Sequence, residues 1–265
     1  MLQIVEPVKP IAPYIGGKIK LAKTLTARIE KIPHETYAEP FLGMGGVFFR
    51  RTSKPKCEVI NDRNSEIANL FRILQRHYLP FMDILKFQIC SRAEFERLKA
   101  IDPATLTDLE RAARFLYLQR TSFGGQIRYP SFGIQKRSPA RFDMTKLKPM
   151  LEDVHERLSC VTIENLDWLD FINRYDRETT VFYLDPPYFG NENDYGKGLF
   201  NRDQFALMAE RLAQLKGRFI LSINDRPQIR DLFAAFHIEK ASCTYSIDRN
   251  NKNFQARELI ISNHP

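Results

Sequence analysis

The sequence predicts an α/β domain interrupted by a mostly helical insertion. Three observations carry that expectation. Apolar, β-branched runs alternate with amphipathic helical patterns at both ends of the chain, the stretch between them holds helical patterns only, and the first strand opens into a glycine-rich turn.

In chain order, Leu21, Leu25, Ile29 and Ile32 recur at helical spacing in KIKLAKTLTARIEKI, after the loop PYIGGK. TYAEPF reads as a short strand entering FLGMGG, VFFRR as a short helix and CEVIND as a second strand, which together make a βαβ unit. From Asn64 to about Ser159 the patterns are helical: NSEIANLFRILQRH, SRAEFERLKA, TDLERAARFLYLQR and DMTKLKPMLEDVHERLS. Ser91 with Glu94, and Thr107 with Glu110, have the spacing of a capping box. Strands resume in CVTIENL and TVFYLD, followed by a helix from Asn201, capped with Gln204 and ended by Gly217. The strand RFILSIN, a short helix from Pro227 and two extended runs, ASCTYSI and RELIISN, complete the chain. Residues 1–66 and 160–265 are thus expected to form one α/β domain, and residues 67–159 the insertion.

A chain of 265 residues with 43% apolar residues can bury a sizeable core. It shows neither a secretory signal pattern nor an apolar run long enough to span a bilayer, so a soluble, cytoplasmic protein with no membrane partner is expected. Cys57, Cys90, Cys160 and Cys243 lie far apart, without zinc-ligand spacing, and read as reduced, mostly buried thiols. The five histidines are scattered, and no metal is expected.

The net charge of +8 comes from one segment. Between Arg111 and Lys148 stand nine basic residues (Arg111, Arg114, Arg120, Arg128, Lys136, Arg137, Arg141, Lys146 and Lys148) against one acid, Asp143. Without these ten, 31 basic and 31 acidic residues remain of the 40 and 32. Four of the nine, Arg128, Lys136, Arg137 and Arg141, lie in the Gly-, Pro- and aromatic-rich loop TSFGGQIRYPSFGIQKRSPARF. A polyanion is the natural partner of such a segment, although charge alone also fits a solvated basic face.

Two motifs suggest chemistry. In EPFLGMGG, Gly43 and Gly45 permit positive φ and close approach of backbone amides to a ligand. Nineteen residues after Gly43 comes Asp62, where nucleotide-binding α/β folds place a ribose-binding carboxylate. The turn is GxGG rather than GxGxxG, which suits a nucleoside better than a dinucleotide pyrophosphate; a purely structural turn has the same signature. In TVFYLDPPY, the proline pair fixes φ twice and leaves the Asp185 carboxylate and the Pro186 carbonyl as acceptors beside the Tyr188 ring. Two acceptors and a flat ring suit an exocyclic amine on a planar base. The bland alternative is a tight turn with a helix-capping aspartate.

With these motifs in order, the chain resembles the Dam-type DNA adenine methyltransferases along nearly its whole length. PYIGGK is similar to the family's amino-terminal cofactor motif (usually WxGGK), EPFLGMGG to its FxGxG motif, NDRN to the segment with the ribose-binding acid and LDPPY to its catalytic motif; RTSFGG with Arg128, LSIND and ELIISN also match. The resemblance implies a Rossmann-like fold dependent on S-adenosylmethionine, with an inserted, mostly helical target-recognition domain. It implies base flipping from double-stranded DNA, and transfer of the methyl group to N6 of adenine. Asp185, Pro186, Pro187 and Tyr188 become the catalytic residues, and Tyr14, Lys18, Phe41, Gly43, Gly45, Asp62, Asp167 and Asp185 the cofactor-binding ones. Asp167 reads equally as the N-cap of the helix DWLDFINRY. Arg120, Phe123, Arg128, Lys136 and Arg137 become DNA contacts, with Arg128 placed to meet guanine edges or a phosphate.

Two departures from the family stand out. Tyr14 replaces the usual Trp, and the hairpin after Arg128 is shortened, which puts the usual GATC target in doubt. A cytosine-N4 methyltransferase needs the same geometry, and a catalytically silent DNA-binding module is the alternative of another class. Asp at position 185 and the intact cofactor motifs favour an adenine enzyme. It is read as a monomer, with or without a cognate restriction endonuclease, and with the segment after Tyr188, FGNENDYG, as a cover over the flipped base.

Overall fold

The computed structural model describes residues 2–14, 18, 21–125, 130–133, 139–192, 198–245 and 254–264. Near the amino terminus, β1 (Gln3–Ile4) and β3 (Ser53–Lys54) form a small antiparallel ribbon. The main sheet has seven strands among the described residues: β2 (Thr36–Glu39), β4 (Cys57–Asn61), β5 (Thr162–Glu164), β6 (Thr180–Leu184), β7 (Arg218–Asn224), β8 (His237–Tyr245) and β9 (Phe254–Ser262). They lie in the order β5-β4-β2-β6-β7-β9-β8. The first five of that order are parallel, while β9 runs antiparallel to both β7 and β8.

From β2 the chain builds outward to β4 and β5, then returns to place β6 on the other flank of β2. The strand order therefore reverses between β2 and β6. In an open α/β sheet the crevice at the carboxyl ends of such a pair is where ligands bind. This is the Rossmann-like α/β architecture expected from the sequence.

Each strand feeds two cores, because successive side chains point to opposite faces. Tyr37, Ile60, Val181, Tyr183, Ile220 and Ile260 enter one apolar cluster. Their neighbours Ala38, Val59, Phe182, Leu184, Phe219, Leu221, Leu259 and Ile261 enter the other, with α7 (Trp168–Tyr175), α8 (Gln204–Ala213) and α9 (Pro227–Leu232) contributing from that side.

The first cluster is covered by α1 (Ala22–Lys31), whose Leu25 and Ile29 are fully buried, and by the helices of the insertion. These are α2 (Ser65–Arg76), α3 (Tyr78–Leu85), α4 (Arg92–Ala100), α5 (Asp108–Thr121) and α6 (Met144–Arg157). Phe71, Phe81, Phe95, Leu116 and Leu151 join the same apolar cluster as Tyr37 and Tyr183, so the insertion is packed directly onto the sheet.

Thr107 and Glu110 form the complete capping box at the start of α5. Ser91 accepts from the Glu94 amide, but Glu94 turns its carboxylate to Gln88 and Arg97 instead of returning the bond. Helix α3 is additional to the elements expected from sequence; Pro80 stands in its first turn, where no amide is required. Helix α8 begins at Gln204 rather than Asn201, because residues 201–203 form a turn closed by the Gln204 amide on the Asn201 carbonyl. Gly217 does not end that helix. Its role is close approach: a Cβ there would stand 2.5 Å from the Thr180 carbonyl oxygen. The expectation of mostly buried thiols fails at Cys160, which is exposed in the turn after α6 at φ 63°. Cys57 and Cys90 are half-buried.

Candidate active site at adjoining strand ends

Strand β2 ends at Glu39 and runs through Pro40 and Phe41 into the glycine turn. Gly43 and Gly45 hold φ of 53° and 67°, the left-handed region that side chains avoid. Space forbids a side chain as well: a Cβ on Gly43 would stand 2.9 Å from the Tyr14 ring, and one on Gly45 2.4 Å from the Phe49 ring. Tyr14 thus lies as an aromatic plate against the turn. The Gly43 amide donates to Asp62 Oδ2 at 2.8 Å, and the Asn64 amide donates to Oδ1 at 2.9 Å. These two bonds orient the Asp62 carboxylate and leave it acceptor capacity for a ligand hydroxyl. Burial pushes its pKa up to about 6, against the lowering effect of both amides.

Asn61 ties three segments together behind this turn. Its Nδ2 donates to the Pro40 and Leu166 carbonyls at 2.9 and 3.2 Å, and its Oδ1 accepts from the Leu166 amide at 2.7 Å.

The neighbouring strand, β6, ends at Leu184 and leads directly into Asp185, Pro186, Pro187 and Tyr188. Lys18 Nζ, almost wholly buried, lies 2.9 Å from Asp185 Oδ1, donates to the Tyr188 hydroxyl at 2.8 Å and lies 3.5 Å from Glu258 Oε2. It also sits 4.4 Å from the centre of the Tyr188 ring. The Tyr188 hydroxyl donates to Glu258 Oε1. Ser222 donates to Asp185 Oδ1 at 3.3 Å and lies 2.8 Å from the Tyr183 hydroxyl. Burial raises the Asp185 pKa to about 6, with the Lys18 ammonium holding it down from a still higher value.

Strand register explains this convergence. Glu39 on β2 lies in phase with Tyr37, and Ser222, Asn224 and Glu258 lie in phase with Ile220 and Ile260. All four therefore share the sheet face covered by α1 and the insertion. Glu39, Asn224 and Glu258 lie within EPFLGMGG, LSIND and ELIISN, but nothing in the sequence sets them apart there. The available signal for Glu39 was a carboxylate closing a buried strand just before the glycine turn. Glu39 is buried, accepts from the Tyr37 hydroxyl at 2.6 Å and is pushed up to about 8, chiefly by burial.

The remaining sequence candidates are spread more widely. Phe41 packs edge-on against Phe200, with ring centres 5.9 Å apart. Asp167 caps α7, its Oδ1 accepting from the Leu169 amide at 3.0 Å. Arg120 turns inward: its guanidinium donates to the Ile11 carbonyl and, at 3.4 Å, to the Arg141 carbonyl. Phe123 is 41% exposed, and the Arg141 guanidinium lies 6.0 Å from its ring centre. The Phe123 amide donates to the Ser131 carbonyl and the Gly133 amide to the Thr121 carbonyl, which closes the loop that carries Arg128. Arg128, Lys136 and Arg137 themselves lie outside the described residues, as do residues 193–196 of FGNENDYG, the segment read as a cover.

That loop is joined to the site. Gln119 Nε2 donates at 2.8 Å both to the Pro13 carbonyl and to the Gly125 carbonyl, and a Cβ on Gly125 would stand 2.8 Å from the Pro13 oxygen. Residues next to Tyr14 are thereby fixed to the basic insertion. Among the described residues no cluster of three His, Cys, Asp or Glu side chains could hold a metal ion, and no helix is long and apolar enough to cross a membrane.

Residues 14–247 match the family described as D12 class N6 adenine-specific DNA methyltransferase. Among curated relatives, "Type II methyltransferase M.CviBI" of Paramecium bursaria Chlorella virus NC1A is 24% identical, over 97% of this chain and 100% of its own length. "Type II methyltransferase M1.LlaDCHI" of Lactococcus lactis subsp. cremoris is 26% identical over 97% and 96% of the two chains. "DNA adenine methylase" of Haemophilus influenzae is 24% identical over 95% and 92%.

Proposed function

The chain belongs to the D12 class N6 adenine-specific DNA methyltransferases, and on that premise we propose how its residues divide the work of methylating adenine N6 in DNA from S-adenosylmethionine. The observation that carries the proposal is the meeting, at the ends of adjoining strands, of the Tyr14–Gly43–Asp62 turn with the Lys18–Asp185–Tyr188 cluster.

The donor set suits the cofactor. Tyr14 offers an aromatic face, Gly43 and Gly45 a turn without side chains, and Asp62 an oriented acceptor for ribose hydroxyls. Phe41 and Asp167 flank this turn as further cofactor-site residues. When bound, the cofactor supplies an electrophilic methyl group on a sulfonium.

The target adenine is turned out of the duplex, since the lone pair of its amine cannot be approached in line while the base is stacked. Asp185 and the Pro186 carbonyl accept the two N–H bonds of the amine, and Pro187 stiffens the turn that presents them. Tyr188 stacks on the base. The Asp185 carboxylate then stabilises positive charge growing on nitrogen and receives the proton that nitrogen releases. Lys18 shares an oxygen of Asp185, which keeps that carboxylate ionised and aligned.

Residues 67–159 serve as the target-recognition module. Arg128 reads base edges, Lys136 and Arg137 hold phosphates, and the exposed Phe123 wedges or stacks beside the extruded base. Arg120 contributes indirectly, by bracing the loop against Ile11 and Arg141. The protein acts as a monomer on double-stranded DNA in the cytoplasm; the relatives named type II methyltransferase and those named DNA adenine methylase leave room for a restriction partner without requiring one.

Replacing Asp185 by Ala separates binding from chemistry. Transfer should fall by at least about a hundredfold, the size of effect seen when an electrostatic stabiliser is removed, while DNA binding by gel shift persists. Retained turnover would overturn the role given to Asp185.

A further inference from the structure

Asn224 on β7 and Glu258 on β9 are directly opposed partners in the antiparallel ladder, so their side chains emerge side by side on one face of the sheet. Both reach the residues that follow the proline pair. Asn224 Oδ1 accepts from the Phe189 amide at 2.9 Å and its Nδ2 donates to the Phe189 carbonyl at 3.0 Å, a two-point grip on one backbone unit. Glu258, fully buried, accepts from the Tyr188 hydroxyl and lies 3.5 Å from Lys18 Nζ. A buried carboxylate is costly to maintain. Here it meets the one end of the Tyr188 ring that can be held without covering its face.

We propose that Glu258 is a positioning residue for methyl transfer: with Asn224 fixing the Phe189 backbone, it pins the Tyr188 hydroxyl and so sets the angle of the ring on which the target base stacks. The inference rests on the stacking role given to Tyr188 above. Through Lys18, which touches Glu258, Tyr188 and Asp185 together, the ring and the amine-accepting carboxylate are held as one unit. In this role Glu258 acts through Tyr188 and Lys18 and not on the cofactor or the base itself.

The test is single-turnover methyl transfer to duplex DNA by wild type, Glu258→Leu, Glu258→Gln, Tyr188→Phe, the Glu258→Leu/Tyr188→Phe double variant and Tyr188→Ala, with cofactor affinity measured alongside. Glu258→Leu removes the acceptor and is expected to slow transfer about tenfold with cofactor affinity unchanged, whereas Glu258→Gln keeps an oxygen that accepts from the hydroxyl and should stay near the wild-type rate. Tyr188→Phe removes the bond to Glu258 together with the one from Lys18, so it should be at least as slow as Glu258→Leu. The double variant should be no slower than Tyr188→Phe alone, because the bond to Glu258 is already absent there. A Glu258→Leu enzyme at the wild-type rate, or losses that multiply in the double variant, would overturn the proposal. If Glu258→Leu does not fold, Tyr188→Phe removes the bond from the partly exposed side, and its full activity would be equally decisive against the proposal. A fully active Tyr188→Ala enzyme would instead defeat the stacking role itself. A slow Tyr188→Ala enzyme beside a fast Glu258→Leu one would leave stacking intact and remove only Glu258.

Discussion

Asp185 is subject to two opposing influences, burial that favours its protonated form and the Lys18 ammonium that favours its carboxylate, and the balance leaves it at about 6. In the role proposed for it, only the carboxylate can both accept from the amine and take up its proton. Single-turnover transfer should therefore fall as pH drops from 7 to 5, following loss of the ionised form. Lys18→Gln removes the influence that lowers the pKa, so its acid limb should move to higher pH; an unchanged limb in a pH–rate profile would break the link between the two residues. At this scale Asp62, Lys18 and Asp185 were legible in the sequence because each stands inside a compact motif. Glu39, Asn224 and Glu258 stand inside EPFLGMGG, LSIND and ELIISN, yet nothing in the sequence assigned them a role there. What brings them to the site is strand register, a relation between segments as much as 219 residues apart in the case of Glu39 and Glu258. Arg120 shows the opposite failure: it was counted with the basic excess, but its guanidinium donates to the Ile11 and Arg141 carbonyls.

Among the elements, β2 and β6 matter most, since their shared edge is where strand order reverses. Both strands and the glycine turn could be read directly, β6 from its continuous apolar run, whereas the reversal itself depends on where β6 inserts. The short helix α3 was missed because Pro80 and an apolar run do not suggest a helix until the first-turn position of the proline is known. Asn61 holds the elements in register by bonding to Pro40 and Leu166 behind the turn. Asn61→Ala leaves buried backbone groups without these partners, which costs about 1–3 kcal/mol. Urea denaturation should show that loss, and calorimetry should show weaker cofactor binding; unchanged values for both would mean that Asn61 does not brace the turn.

The molecule as a whole accepts a thermodynamic burden to build this site. Glu39 is raised from the ordinary glutamate range to about 8, mainly by burial. From about pH 4.5 to 8 the unfolded chain has released this proton while the folded chain keeps it, so the folded state binds more protons and stability declines as pH rises. Glu39→Gln should flatten the decline between pH 6 and 8 in thermal melts, and an identical slope in both proteins would contradict the burial argument. At this scale the sequence conveyed the α/β class, the helical insertion and the basic segment, each a matter of composition and periodicity. It could not show that the insertion joins the core on one sheet face, or that Gln119 and Gly125 lock it to the backbone beside Tyr14, since both are long-range contacts. That physical link between the basic loop and the backbone beside the glycine turn is the basis for treating the proposed base recognition and methyl transfer as the work of one site. The most direct measurement is nucleoside mass spectrometry of duplex DNA incubated with the protein and isotopically labelled S-adenosylmethionine. N6-methyladenine carrying the label is the result this account predicts; label on cytosine alone, or on neither base, would contradict it.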